Sequence, residues 1–359
     1  MRKTRMLPDS SLVKGALPMS CAMCQQGSKL VLLVTGICSH DCYYCPLSFK
    51  KKGRDVAYAD EKLVEKDSDI IFEAESIGAR GTGITGGDPL LVMDRTLRCI
   101  RLLKRKFGKG HNIHLYTATP DLAKVKRLAE AGLDEIRFHP HPDVWDTLER
   151  TMFPEAIRQA RKCSLRTGIE IPAIPGTEKS IAAMASEAEK AGAQFINLNE
   201  LEFSEPNIGA LKARGFRIKD DESSAVKGSE ETAIKVLKAL SGRITVHYCS
   251  SSFKDATQLR NRLLRRAKNM ATRLEIITED GTFIKGIIET EKPAFLVRQL
   301  MKEYDIPKEL VRTDGDRVEI AAWVLESLPR GIPGAPFIVE EYPTADRLEV
   351  ERRPIQNKI

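Results

Sequence analysis

Cys38-x-x-x-Cys42-x-x-Cys45 places three thiols on one short loop. Three thiolates so spaced can grip three irons of a cubane iron–sulfur cluster. Such clusters normally take four cysteines, so three leave one iron open to a ligand from outside the chain. Zinc sites usually use four protein ligands in paired CxxC or Cys/His spacings, which this run lacks. Buried free thiols are the remaining structural alternative. Five of the eight cysteines lie between Cys21 and Cys45. No long apolar run follows the basic N-terminus, so no secretory leader is read and a cytoplasmic location is expected. In that setting clustered cysteines point to metal and not to disulfides.

Two further groups of residues bear on chemistry. Gly86-Gly87-Asp88-Pro89 is by itself a turn signal, and its glycines would let the backbone approach a ligand closely. Cys21-x-x-Cys24, upstream of the loop, is a half-site for metal. With Cys249, and possible help from His247, it would make a second site, an auxiliary iron–sulfur cluster or a structural zinc. The other CxxC, Cys42-x-x-Cys45, belongs to the three-thiol loop, so an isolated thiol pair is the alternative. Cys99 and Cys163 sit inside helical patterns and read as structural.

These residues need a frame. Residues 29–35 are short, apolar and rich in β-branched side chains, the mark of a buried strand, and the cysteine loop follows directly. Residues 81–87 read as a strand entering the glycine turn. Helical patterns over 61–79, 94–107 and 120–132 alternate with strand patterns at 112–117, 134–138, 168–174, 194–198 and 243–248. Pro120 suits a first helical position and Gly132 a helix end. Repeated strand–helix units predict an α/β fold, a partial parallel (β/α) barrel, with its chemistry at the carboxyl ends of the strands. Near residue 270 the rhythm changes. Residues 273–285 read as a hairpin turning at Asp280-Gly281, followed by a helix over 292–304. The expected organisation is an N-terminal extension over 1–28 bearing the CxxC, a barrel core over 29–269 and a small α+β domain over 270–359.

The cysteine spacing, its place after the first strand and the aromatic Tyr44 just before Cys45 together resemble the radical S-adenosylmethionine (SAM) superfamily. Gly86-Gly87-Asp88-Pro89 resembles that family's Gly-Gly-Glu-Pro motif, with Asp88 one methylene shorter than the usual acid. The closest resemblance inside the family is to glycyl-radical-activating enzymes such as the pyruvate formate-lyase activase and its relatives, and it covers roughly residues 29–250. The resemblance implies a barrel of the radical SAM type and a 4Fe–4S cluster on Cys38, Cys42 and Cys45, with SAM on the open iron. It puts Tyr44 against the adenine, Gly86, Gly87 and Asp88 on the methionine amino group, and Arg137 and His139 at the ribose. It also implies reductive cleavage of SAM to a 5′-deoxyadenosyl radical that abstracts hydrogen, with a flavodoxin or ferredoxin as electron donor. An iron–sulfur electron-transfer or regulatory protein that does not cleave SAM is the alternative, and it leaves the glycine turn without a purpose.

Composition narrows the substrate little. The chain has 359 residues, 42% hydrophobic and 30% charged, with a net charge of +7. That is an ordinary globular composition, and no apolar stretch is long enough to span a bilayer. The mild positive charge fits an anionic partner. Basic residues recur at Lys50-Lys51-Lys52 and along 254–268, at Lys254, Arg260, Arg262, Arg265, Arg266 and Lys268. That face could track a phosphate backbone or simply be solvated. Asn197, Asn199, Glu200 and Glu202 fall at a strand end, where a barrel mouth would hold substrate. RNA, a protein side chain and a small anionic metabolite all remain open as substrates.

Overall fold

A computed structural model of the chain describes residues 3–355, apart from Glu222 and Arg330. The chain divides into two compact units, Met1–Glu75 with Ala79–Leu259 and Ser76–Gly78 with Arg260–Ile359.

The first unit is built on seven parallel strands: β1 (Lys29–Leu33), β2 (Gly81–Thr85), β3 (Asn112–Thr117), β4 (Glu135–Phe138), β5 (Arg166–Ala173), β6 (Phe195–Glu200) and β7 (Thr245–Cys249). They lie side by side in sequence order, every neighbouring pair parallel. Repeated crossovers of one hand produce that order. Antiparallel strands extend both edges. Leu12–Lys14 pairs with β7 and Thr4–Met6 pairs with it in turn; Tyr58–Ala59 and Lys62–Leu63 do the same beside β1. The eleven-stranded sheet is therefore open, a partial barrel.

Successive strand residues face opposite sides, and the two sides differ sharply here. Leu32, Ile84, Leu115, Ile136, Ile169, Ile196 and Val246 are buried core. The alternate row is polar. The pairings Tyr116↔Arg137, Glu170↔Asn197 and Asn197↔His247 set these side chains next to one another. Arg137 is the hub of that row. Its Nε donates to Glu135 at 2.7 Å, Nη1 to Glu170 at 2.5 Å, and Nη2 to Ser20 Oγ at 2.5 Å and Cys21 Sγ at 3.3 Å. Ser20 and Cys21 belong to helix α1 (Met19–Gln25). Thus the N-terminal residues are woven into the first unit twice, as edge strands and through α1.

The second unit is antiparallel. Its strands run in the order Val311–Asp314, Arg317–Ile320, Phe283–Glu289, Ala335–Glu341 and Glu349–Pro354, with Ile276–Ile277 also paired to Phe283–Glu289. The expected hairpin forms. Gly281 turns it at φ +83°, and a Cβ there would come within 2.5 Å of Leu264 N. Apolar residues such as Ile288, Leu296, Leu300, Val318 and Leu325 form the core.

The basic segment over 254–268 is not one helix. Lys254 lies in a π-helix, Phe253–Leu259, and an α-helix follows over Arg260–Met270. Its arginines are largely committed within the chain. Arg260 donates to Asp280 at 3.0 Å, Arg265 to the carbonyls of Ile77 and Gly78 at 2.8 and 2.7 Å, and Arg266 to Ser76 at 2.7 Å. Buried backbone carbonyls need donors, and long cationic side chains supply them. A free basic face for tracking phosphates is therefore not formed by these residues. Among the described residues no helix is long and apolar enough to cross a membrane.

Candidate functional site

Cys38, Cys42 and Cys45 sit in the loop that leaves the carboxyl end of β1, as parallel α/β architecture favours. All three line one cavity of about 640 Å³, and Gly86 and Gly87 of the neighbouring turn line it too. Burial pushes the Cys38 and Cys42 thiols above their ordinary range, so iron binding must displace their protons.

The loop and the glycine turn lie backbone against backbone. Gly87 N donates to Thr35 O and Asp88 N to Ile37 O, both at 2.8 Å. A Cβ on Gly86 would meet Thr35 O at 2.5 Å, and one on Gly87 would meet Ile37 O at 2.0 Å. The first requirement for glycine here is thus the close approach of the cysteine loop itself.

Asp88 behaves differently from the expectation. It is fully buried and does not line the cavity. Oδ1 accepts from Leu90 N at 3.0 Å and Thr117 Oγ1 at 2.8 Å; Oδ2 accepts from Ala118 N at 3.2 Å and Thr119 Oγ1 at 2.7 Å. A carboxylate with four donors is a brace between the turn after β2 and the loop after β3. Both carboxylate oxygens are thus spent within the chain. Asp88→Ala leaves those donors unpaired and is expected to destabilise the first unit by about 2–4 kcal/mol. Equilibrium dialysis of SAM should show weakened binding together with a lowered melting temperature; a drop in SAM affinity with unchanged stability would contradict the brace.

Tyr44 and His139 do come together at the cavity. His139 Nδ1 lies 2.7 Å from Glu170 O, a carbonyl that only accepts, so Nδ1 carries the proton. Nε2 is then the acceptor, and the Tyr44 hydroxyl donates to it at 3.0 Å. Burial lowers the His139 pKa and keeps the ring neutral, while burial raises that of Tyr44. The pair ties the cysteine loop to the end of β4 and to the middle of β5. Arg137, by contrast, is 2% exposed and does not line the cavity. Its donors are spent on the polar row.

Asn199, Glu200 and Glu202 line the cavity at the end of β6, and Lys254 faces them paired with Glu202. Asn197 is instead buried among Glu170, Cys21 and His247. Cys24 lines the same cavity, where burial pushes its thiol up to about 11. Cys21 accepts from Arg137 and Asn197, both at 3.3 Å, and Cys249 from Gln258 at 3.4 Å. Among the described residues no three His, Cys, Asp or Glu side chains close around a single ion. A cubane makes no such demand of Cys38, Cys42 and Cys45, since each thiolate binds its own iron. The donor set of the loop therefore fits a cluster. The set Cys21, Cys24 and Cys249 is not gathered for one zinc ion.

Sequence reasoning missed Glu170, Tyr116, Thr117, Thr119 and Asn207. Only Thr117-x-Thr119, a polar pair at a strand end, carried any local signal.

A run of parallel strands, with a three-thiol loop after the first and a glycine turn after the second, is a (β/α) arrangement whose donors would suit an iron–sulfur cluster with one open iron. Residues 32–188 match the profile of the radical SAM superfamily, and residues 281–355 match a domain of unknown function. A Methanocaldococcus jannaschii protein, provisionally named as a glycyl-radical enzyme activating enzyme, is 42% identical over 357 residues, covering 95% of this chain and 94% of its own length. Among solved structures, a radical SAM methyltransferase of Kitasatospora setae with cobalamin and a 4Fe–4S cluster bound aligns at 13% identity and TM-score 0.40, over 72% of this chain and 54% of its own. The chain thus spans about half of that protein. A maturase of the FeFe-hydrogenase aligns at 12% identity and TM-score 0.43, over 69% and 65% of the two chains. The chain belongs to the radical SAM superfamily. It is an enzyme, and its family membership brings with it a 4Fe–4S cluster and SAM.

Proposed function

We propose that the protein is an activating-type radical SAM enzyme whose cluster is held by Cys38, Cys42 and Cys45 and whose substrate is a protein. The single observation that carries the reading is the convergence of those thiols with Gly86 and Gly87 on one cavity. The family's cofactors, when bound, supply a 5′-deoxyadenosyl radical able to take hydrogen from an unactivated C–H bond. What this chain contributes is binding, orientation and shielding. The Gly86-Gly87 backbone offers the methionine moiety its carbonyls. Tyr44 and His139 present a neutral, hydrogen-bonded wall to the nucleoside. The side chains at the end of β6 are left for the substrate.

A protein substrate is favoured by the name of the 42% identical relative and by the loss of a free basic face on Arg260–Met270. A flavodoxin or ferredoxin would be the electron donor. The test is an anaerobic assay of 5′-deoxyadenosine with dithionite as reductant, in the presence of a pool of synthetic glycine-centred peptides or of bulk tRNA. Stimulation by peptides alone is expected. Stimulation by tRNA alone, falling steeply with salt, would replace the protein reading by an RNA one.

A further inference from the structure

Between Cys42 and Cys45 the chain turns through Tyr43 and Tyr44, and Cys45 N donates to Cys42 O at 3.0 Å to close the turn. The turn is gripped from the segment that leaves β6. Asn207 is 2% exposed and uses both ends of its amide. Oδ1 accepts from Ser204 N at 2.8 Å, a purely local contact. Nδ2 donates to Glu202 O at 3.0 Å and to Tyr44 O at 3.1 Å. Further along the same segment, the Arg214 guanidinium lies over the Tyr43 ring, 4.1 Å from its centroid. Two side chains from one distant segment thus hold two consecutive residues of the thiol loop.

We propose that Asn207 is a positioning residue of the metal-binding loop: its amide locks the Tyr44 carbonyl to the cavity wall at Glu202 and so sets where Cys42 and Cys45 stand. The Tyr44 carbonyl is one peptide bond from the Cys45 nitrogen, so holding it fixes the start of Cys45 and, through the closed turn, Cys42. A buried carbonyl deprived of its donor is costly, which gives the contact its grip. Arg214 adds a second, weaker hold through the ring beside it. The inference rests on the proposed function only for what it means to a bound cluster; the hold itself belongs to the chain.

The alternative is that Asn207 merely caps the Ser204 turn. Asn207→Asp separates the two, because it keeps an acceptor for Ser204 N and replaces the donor by an oxygen facing two carbonyls. The probe is N-ethylmaleimide on the metal-free full chain, with each thiol followed by peptide mass spectrometry and the fold by circular dichroism. Cys42 and Cys45 are expected to react about tenfold faster in Asn207→Asp than in the wild type, the size of one hydrogen bond, with Cys163 and the buried Cys99 unchanged. Arg214→Ala should give a smaller rise, confined to the same two thiols. Unchanged rates at Cys42 and Cys45 would overturn the proposal, and so would a parallel rise at Cys99, which reports general unfolding. In reconstituted protein, iron release to a chelator should also be faster in Asn207→Asp. A wild type that takes up no cluster would count against the proposed function and leave the alkylation result to decide the hold.

Discussion

Cys42→Ala will lose both its cluster and its SAM chemistry. Within the loop His40 and Asp41 are the other side chains able to bind metal, and neither is a thiol. Cys24 lines the same cavity, but it stands on α1, and burial holds its thiol at about 11. Removing Cys42 leaves a cubane with two protein thiolates where three were supplied, and clusters of this kind are normally held by more. Iron per chain after anaerobic reconstitution should fall to the level of protein that never met iron, and 5′-deoxyadenosine should fall to background. Cys163→Ala is the matched control. Cys163 is half-buried at a helix end, where it accepts from Gln159 at 3.3 Å, and its loss should change neither readout. The loop assignment fails if Cys42→Ala keeps its iron and its product.

The second large effect lies in the C-terminal unit. Lys285 and Glu319 are both 2% or less exposed and form an ion pair, with Glu341 3.0 Å from the same ammonium and Arg312 2.6 Å from Glu319. Burial alone would raise the Glu319 pKa. The hydrogen bonds and charges of Lys285 and Arg312 outweigh it and hold the carboxyl near 2. Glu319→Gln leaves Lys285 with Glu341 and Arg312 with Glu275 but removes the charge they share, so it should cost about 1.5–3 kcal/mol. Hydrogen exchange of strands Phe283–Glu289 and Arg317–Ile320, measured in the full chain, reads this unit directly. The sign with pH follows from the depressed pKa. The contribution of Glu319 is in place above the ordinary carboxyl value of 4.5 and drains away as pH falls towards about 2. Wild type and Glu319→Gln should therefore converge on acidification. A difference that persists unchanged at low pH would show that the carboxylate charge is not what stabilises the pair.

Particular residues show how far reading the chain could go. The thiol loop, the glycine turn, the alternation of strands and helices and the hairpin at Asp280-Gly281 all depend on neighbours in sequence: a spacing, a periodicity, a turn residue. Arg137 and Asp88 show the limit. Each carries a side chain fit for a ligand, and each stands in or beside a recognisable motif. Yet Arg137 is claimed by Glu135, Glu170, Ser20 and Cys21, and Asp88 by Leu90, Thr117, Ala118 and Thr119. Glu135 and Leu90 are close in the chain, but nothing in either motif announces the others, which lie on β3, on β5, on α1 and in the loop after β3.

The sequence by itself determined the chemistry. Cys38, Cys42 and Cys45 must share a loop because they are close in the chain, and three thiolates would leave one iron of a cubane open. Only the tertiary structure decided who serves that chemistry and who supports it. The pairing registers Tyr116↔Arg137 and Glu170↔Asn197 bring polar side chains from separate strands into one row, and Asn207 reaches Tyr44 across 163 residues. Contacts of that separation are set by sheet register and packing, and those are properties of the whole chain that no local pattern encodes.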